Sequence, residues 1–321
     1  MRIKYQELRN KRRTPLREGV PLDTPFLVHI DPTNLCNMRC SFCPTGHKSA
    51  RDMRNNGMMD WNLYVKIIDG FKDMPHRIKQ LTFCKDGEPM LHPRLLDMME
   101  MAVEADIADK VWLKTNGTLL TPEINKRLVN IGLDLIGISI KAVSAEGYEK
   151  TTGVKVDYEK LKRMVDNLHS RSVLTPIYVN TVNADYTEEE KEKFYNDFEY
   201  ISDYVAIEDM HGWSCGFSDK ITENDTVVSS KIACPWPLLT MSINFDGKVS
   251  ACQEDWSMQA IVGDLNEETV SEAWRNKDRY YFIFKHLMGQ RSTLPPCANC
   301  SFIDFSPDNI DDCRDELLRR L

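Results

Sequence analysis

Short apolar or β-branched runs alternate along the first two thirds of the chain with longer stretches whose apolar residues recur three and four positions apart. The first pattern is that of buried strands, the second that of amphipathic helices. Strands are predicted at Val28 to Ile30, Gln80 to Phe83, Val111 to Lys114, Leu135 to Ile140, Ile177 to Thr181 and Tyr204 to Glu208. Helices are predicted between them at Trp61 to Phe71, Arg94 to Ala105, Pro122 to Asn130, Tyr158 to Ser170 and Glu188 to Ile201. Six βα units imply a parallel, curved sheet of the α/β class. Pattern alone leaves a doubly wound open sheet and a barrel both open.

Beyond about residue 209 the alternation stops. A glycine-punctuated loop, His211 to Gly216, leads to Cys234 and then to two strand-like runs joined by Asp246-Gly247, a strong hairpin signal. Thr269 to Leu287 reads as one helix, and Cys297 and Cys300 form a C-x2-C pair. The expected organisation is an N-terminal extension over 1–25, a main domain over 26–209, an auxiliary domain over 210–305 and a C-terminal helix over 306–321.

Composition narrows the classes. The chain has 321 residues, 28% charged and 42% hydrophobic, the balance of a soluble globular protein. A net charge of -8 argues against a nucleic acid held through its phosphates. No apolar run is long enough to span a membrane, and the start lacks the apolar core of a secretory signal, so a cytoplasmic location is expected. The first 24 residues are rich in Lys and Arg, but Glu7, Glu18 and Asp23 argue against a transit peptide. A solvated helix covering the base of the main domain is expected there. Ten cysteines in a chain of this size read as metal ligands rather than as a disulfide framework.

Three of those cysteines, Cys36, Cys40 and Cys43, follow the first predicted strand at C-x3-C-x2-C spacing. A four-iron cluster held by three thiolates keeps one iron open to another ligand. Zinc is the competing occupant, although structural zinc prefers four ligands. Cys234, Cys252, Cys297 and Cys300 can close a second, complete site, and zinc suits that set when it is read without context.

The first run resembles the cluster loop of radical S-adenosylmethionine (SAM) enzymes, in which the open iron chelates SAM. That resemblance implies a partial six-stranded (β/α) barrel with the cluster loop after the first strand. Lys85-Asp86-Gly87-Glu88-Pro89 is similar to the family's glycine-glycine-glutamate-proline element, which holds the amino group of SAM, with Asp86 where the first glycine is usual. By the same resemblance Asp86, Gly87, Glu88 and Pro89 contact SAM, Asn116 and Ser139 reach its ribose and carboxylate, and Phe42 packs beside its adenine. Lys141 is a candidate for meeting an anionic substrate. The C-terminal cysteines, hairpin and helix look like a twitch domain, the shortened form of the SPASM domain, with a β-hairpin plus helix around one auxiliary four-iron cluster. Only Cys313 follows Cys300, too few thiols for a second auxiliary cluster.

The cofactors implied are SAM, a SAM-binding [4Fe-4S] cluster and a second, auxiliary [4Fe-4S] cluster, with flavodoxin or ferredoxin as electron donor. The activity implied is hydrogen abstraction by a 5'-deoxyadenosyl radical, and the layout is most similar to enzymes that oxidise an amino-inositol hydroxyl. The expected reaction is oxidation of a sugar, nucleotide sugar or aminocyclitol to a ketone, with Glu254, Asp255 or His211 taking the hydroxyl proton. Three alternatives stand beside it. A carbohydrate epimerase would use a thiol hydrogen donor, Cys215 before Cys84 or Cys313, with Cys84 expected in the core and Cys313 exposed. A peptide-modifying maturase would need more than the roughly 25 residues ahead of the first strand. A non-catalytic zinc or iron-sulfur protein leaves the Gly-Glu-Pro loop unexplained.

Overall fold

Most of the βα units begin a helix where the sequence supplies a cap. The Asp60 carboxylate accepts the Asn62 and Leu63 amides and starts the helix Trp61–Lys72. Thr121, Ser144, Asp157 and Thr187 do the same for Pro122–Leu128, Ala145–Thr152, Tyr158–Arg171 and Glu188–Phe198. In this computed structural model, which describes residues 1–9, 15–182, 186–209 and 229–321, these units build one nine-stranded sheet. Its strands are β1 Leu27–Ile30, β2 Gln80–Phe83, β3 Val111–Thr115, β4 Leu135–Ser139, β5 Ile177–Val182, β6 Tyr204–Glu208, β7 Thr240–Ile243, β8 Lys248–Ser250 and β9 Ile261–Asp264. The order is β6-β5-β4-β3-β2-β1-β7-β8-β9.

Neighbours from β6 to β7 pair in parallel, and β7-β8-β9 pair antiparallel. The sequence pattern places all six barrel strands within two residues of their observed ends. It misses β9 and the helix Ala145–Thr152, and it reads the auxiliary hairpin as a separate unit. β7 pairs with β1, so the auxiliary strands extend the barrel sheet. The predicted helix from Thr269 to Leu287 is two helices, Val270–Trp274 and Lys277–Leu287, because Asn276 accepts the Asp278 amide and opens a second N-terminus. Asp246-Gly247 does make the β7–β8 turn, with Gly247 at φ +85°.

Side chains alternate across the strands. Val28, Ile30, Leu81, Phe83, Leu113 and Ile138 pack against helix residues such as Tyr64, Met98 and Leu161 in the main core. The opposite face carries Gln80, Thr82, Trp112 and Tyr178, and residues 1–9 fold onto it. The Ile3 amide donates to the Val205 carbonyl at the β6 edge. Tyr5 stands edge-on to Trp112, 5.4 Å between ring centres, and the Lys114 ammonium lies 3.5 Å from the Tyr5 ring centre. Leu16 and Val20 are buried in a second core with Leu239, Ile283 and Cys313. The N-terminal segment is therefore an integral filler, not a solvated cover, and Cys313 is buried rather than exposed.

Tyr5→Ala removes these ring contacts from a half-buried site. A destabilisation of about 2 kcal/mol is expected, read as a lower urea midpoint with an unchanged slope.

Candidate metal centres

The first centre grows out of the end of β1. Thr33 Oγ1 donates to the Gly57 carbonyl (2.6 Å), and Asn34 both donates to the Asn55 carbonyl and accepts the Gly57 amide. The amides of Arg39 and Ser41 then donate to Thr152 and Thr151 at the end of the helix Ala145–Thr152. Asn116 donates to the Asn37 side chain at 2.8 Å. Held at both flanks, the loop gathers Cys36, Cys40 and Cys43 close enough for each thiol to act on the others electrostatically. Burial pushes all three up, Cys40 to about 12, while the Lys141 cation opposes the rise. Buried thiols that keep their protons in the metal-free chain surrender them to a metal, whose charge outweighs burial. The donor set thus fits a cluster with three protein ligands.

The second strand's loop faces it. A Cβ on Gly87 would lie 2.0 Å from the Thr33 carbonyl oxygen and 2.5 Å from that of Leu35, so only glycine lets this backbone reach the cluster loop. Glu88 is buried and accepts from Thr115 Oγ1 (2.6 Å), the Asn116 amide (2.6 Å) and the Met90 amide (3.0 Å). Burial raises its pKa and these donors oppose the rise. Glu88 therefore braces the loop against β3, and Pro89 opens the short turn Pro89–Leu91 beneath it.

Asp86 departs from a glycine pattern for a visible reason. Its carboxylate takes the Arg54 guanidinium (2.6 Å) and the Lys85 ammonium (2.6 Å), all three side chains being almost wholly buried. Its amide donates to Asp31 Oδ1 at 3.4 Å, and Asp31 Oδ2 is buried without a hydrogen-bond partner. Burial, then the Asp86 charge, lifts Asp31 to about 7. Arg54 also donates to the Trp256 carbonyl and Lys85 to that of Asp255, tying this group to the auxiliary domain.

The second centre is a hollow whose walls include Cys234, Cys252, Cys297 and Cys300. Burial pushes Cys234 up to about 12 and raises Cys252 and Cys297. Among the described residues no three His, Cys, Asp or Glu side chains are placed to hold a single metal ion. Four thiols around a hollow fit a larger cluster. Arg291 donates to the Cys297 (2.9 Å) and Cys300 (3.0 Å) carbonyls, and His286 lies between Cys234 and Cys297. Burial and then the Arg291 charge hold the His286 imidazole down to about 3.

Of the remaining sequence candidates, Glu254 is buried and lines this hollow. Asp255 is a loop organiser: its carboxylate accepts from Ser257 Oγ and the Gln259 and Ala260 amides. His211 and Cys215 lie outside the described residues. Asn116 spends its side chain on Asn37 and Thr118, and Ser139 donates to Asn180 at 3.1 Å. Phe42 has the Lys141 ammonium 5.9 Å from its ring centre. Sequence reasoning missed Asp31, Arg54, Lys85, His286 and Arg291. His286 alone carried a signal, a histidine on the apolar stripe of its helix beside Phe282 and Ile283.

Comparison with known proteins bears on this geometry. Residues 30–198 match the family model described as Radical SAM superfamily, and residues 234–301 match SPASM, an iron-sulfur cluster-binding domain. The chain is 33% identical over 141 residues to the tungsten-containing aldehyde ferredoxin oxidoreductase cofactor-modifying protein of Pyrococcus furiosus, covering 43% of this chain and 38% of that one. It is 22% identical over 283 residues to the S-adenosyl-L-methionine-dependent 2-deoxy-scyllo-inosamine dehydrogenase of Niallia circulans, covering 88% and 95%. The solved structure of BtrN with AdoMet and 2-DOIA aligns over 90% of this chain and 98% of its own, with TM-score 0.59 and 18% identity, a likeness of fold. The chain spans 38 to 53% of the length of the first curated relatives it matches.

Gly87→Ala is expected to abolish SAM binding in calorimetry while far-ultraviolet circular dichroism stays native. The raised Asp31 pKa has a sign: the folded state binds this proton more tightly than the unfolded state, so its contribution to stability is lost as pH rises from 3.8 to about 7. Asp31→Asn should flatten that part of the unfolding free energy measured against pH.

Proposed function

Because this chain belongs to the radical SAM superfamily, we propose that it oxidises a hydroxyl-bearing carbon of a sugar, nucleotide sugar or aminocyclitol to a ketone. The observation that carries the reading is the thiol arrangement: a three-cysteine loop after β1 and one four-cysteine hollow whose ligands flank the β7–β9 strands, with no third set in the sequence. One SAM-cleaving centre and one auxiliary acceptor match the two electrons that leave an alcohol. The near full-length likeness to the inosamine dehydrogenase supports the substrate class.

Bound SAM and its cluster supply hydrogen abstraction through a 5'-deoxyadenosyl radical, and the auxiliary cluster supplies an electron acceptor. Cys36, Cys40 and Cys43 would hold the first, and Cys234, Cys252, Cys297 and Cys300 the second. The Asp86-Gly87 backbone would carry the amino group of SAM, and Phe42 would flank its adenine. Two buried carboxylates would be the candidates for taking the hydroxyl proton: Asp31, whose Oδ2 has no hydrogen-bond partner, and Glu254, in the wall of the hollow. Flavodoxin or ferredoxin would deliver the first electron.

A second reading has one observation behind it. Cys84 follows β2, half-buried, and the charges acting on its thiol are Lys114, Glu88, Asp31 and Lys141, the groups around the cofactor loops. A thiol there could return hydrogen to the substrate carbon, as an epimerase requires.

Protein reconstituted without oxygen should hold about eight irons per chain. With a panel of sugars and aminocyclitols deuterated at the carbinol carbon, it should move the label into 5'-deoxyadenosine and form one ketone per SAM. Product deuterium from heavy water that vanishes in Cys84→Ala would instead establish the epimerase. The proton acceptor is identified by whichever of Asp31→Asn and Glu254→Gln still transfers the label but forms at least tenfold less ketone.

A further inference from the structure

His286 is fully buried on the helix Lys277–Leu287, its ring centre 5.1 Å from that of Phe282. One ring nitrogen, Nδ1, receives the backbone amide of Cys234 at 3.3 Å. The other, Nε2, lies 3.6 Å from the Sγ of Cys297. The two contacts decide the tautomer. A backbone amide can only donate, so Nδ1 presents its lone pair, and the neutral ring must carry its hydrogen on Nε2. That hydrogen points at the Cys297 sulfur.

The same reasoning removes the alternative that His286 is itself an iron ligand. Ligation through Nε2 would move the hydrogen to Nδ1 and set it against the Cys234 amide, two donors head to head in a buried place. Arg291 adds to the arrangement by donating to the carbonyls of Cys297 and Cys300, which clamps the C-x2-C loop.

We propose that His286 is a positioning residue whose Nε2–H donates to the ligand sulfur of Cys297 and so raises the reduction potential of the auxiliary centre. The inference rests on the reading of the four-cysteine hollow as a cluster site. A reduced cluster carries one more negative charge, part of it on its thiolate sulfurs, so a donor aimed at one of them stabilises the reduced form more than the oxidised form. A higher potential suits a centre that receives an electron from a substrate radical.

The test is an EPR-monitored redox titration of reconstituted wild type, His286→Leu and His286→Gln, with iron counted in each. Leucine keeps the bulk and removes both polar contacts, whereas glutamine offers a carbonyl to Cys234 and an N–H to Cys297. The expected result is about a tenfold drop in the reduced-to-oxidised ratio of the auxiliary centre at fixed potential in His286→Leu, equivalent to about 59 mV for one electron. Recovery is expected in His286→Gln, with the SAM-binding cluster unmoved in both. An unchanged auxiliary potential in a His286→Leu protein that still binds about eight irons overturns the proposal. About four irons in wild type would instead overturn the cluster reading beneath it. Wild type alone provides an independent check: with nitrogen-15-labelled histidine, pulsed EPR of the reduced auxiliary centre should show a histidine nitrogen coupling, and its absence overturns the hydrogen bond even if the leucine variant fails to assemble.

Discussion

The segments that carry both thiol sets belong to one sheet because β1 pairs in parallel with β2 on one side and β7 on the other. Leu27 to Ile30 align with Gln80 to Phe83 and equally with Thr240 to Ile243. The ladder continues past the strand ends, where the Asp31 amide donates to the Ile243 carbonyl and the Cys84 amide to that of Ile30. Parallel strands end on the same side. The cluster loop leaves β1, the Gly87 loop leaves β2, and the Asp246-Gly247 turn leaves β7, so three sequence-distant segments emerge together, while Cys252 follows the antiparallel return strand β8. A slip of one residue in either pairing would turn Val28 and Ile30 off the main core and expel the loops from register.

Charge completes what backbone pairing begins. Arg54, Lys85 and Asp86 are desolvated together at the seam between barrel and auxiliary domain, with Asp31 against them. Such a group adds little net stability, since desolvation offsets most of the attraction, but removing any one member strands its partners. Its direct bonds to the Asp255 and Trp256 carbonyls tie the auxiliary loop to the Gly87 loop. The auxiliary centre has its own partners in His286 and Arg291, which hold two ligand loops through backbone atoms. Ligand cysteines far apart in the chain are thereby set by neighbours that carry no ligand themselves.

Strand ends were legible because most βα units are locally consistent: apolar runs of strand length, then a capping Asp, Ser or Thr, then a helical stripe. The two cysteine sets, of three and four, were legible as sets because their spacing is itself chemical information. Glu88, Asn116 and Asp255 were legible only as polar residues in the right place. The structure shows each spending its side chain on neighbouring backbone or side-chain groups, which no local pattern reveals. Arg54 and Asp86 stand 32 positions apart, and Arg54 and Trp256 stand 202 apart, so nothing in either neighbourhood announces their contact.

By itself, then, the sequence determined the α/β units, the caps, the hairpin turn and the identity of the thiol sets, all of which depend on residues within a few positions of one another. The tertiary structure alone decided that β7 joins β1, that Tyr5 fills the inner face of the sheet, that an aspartate in a glycine motif belongs to a buried ion group, and which nitrogen of His286 meets a sulfur. These follow from pairings between distant segments, where burial and geometry choose the partner and local composition has no say.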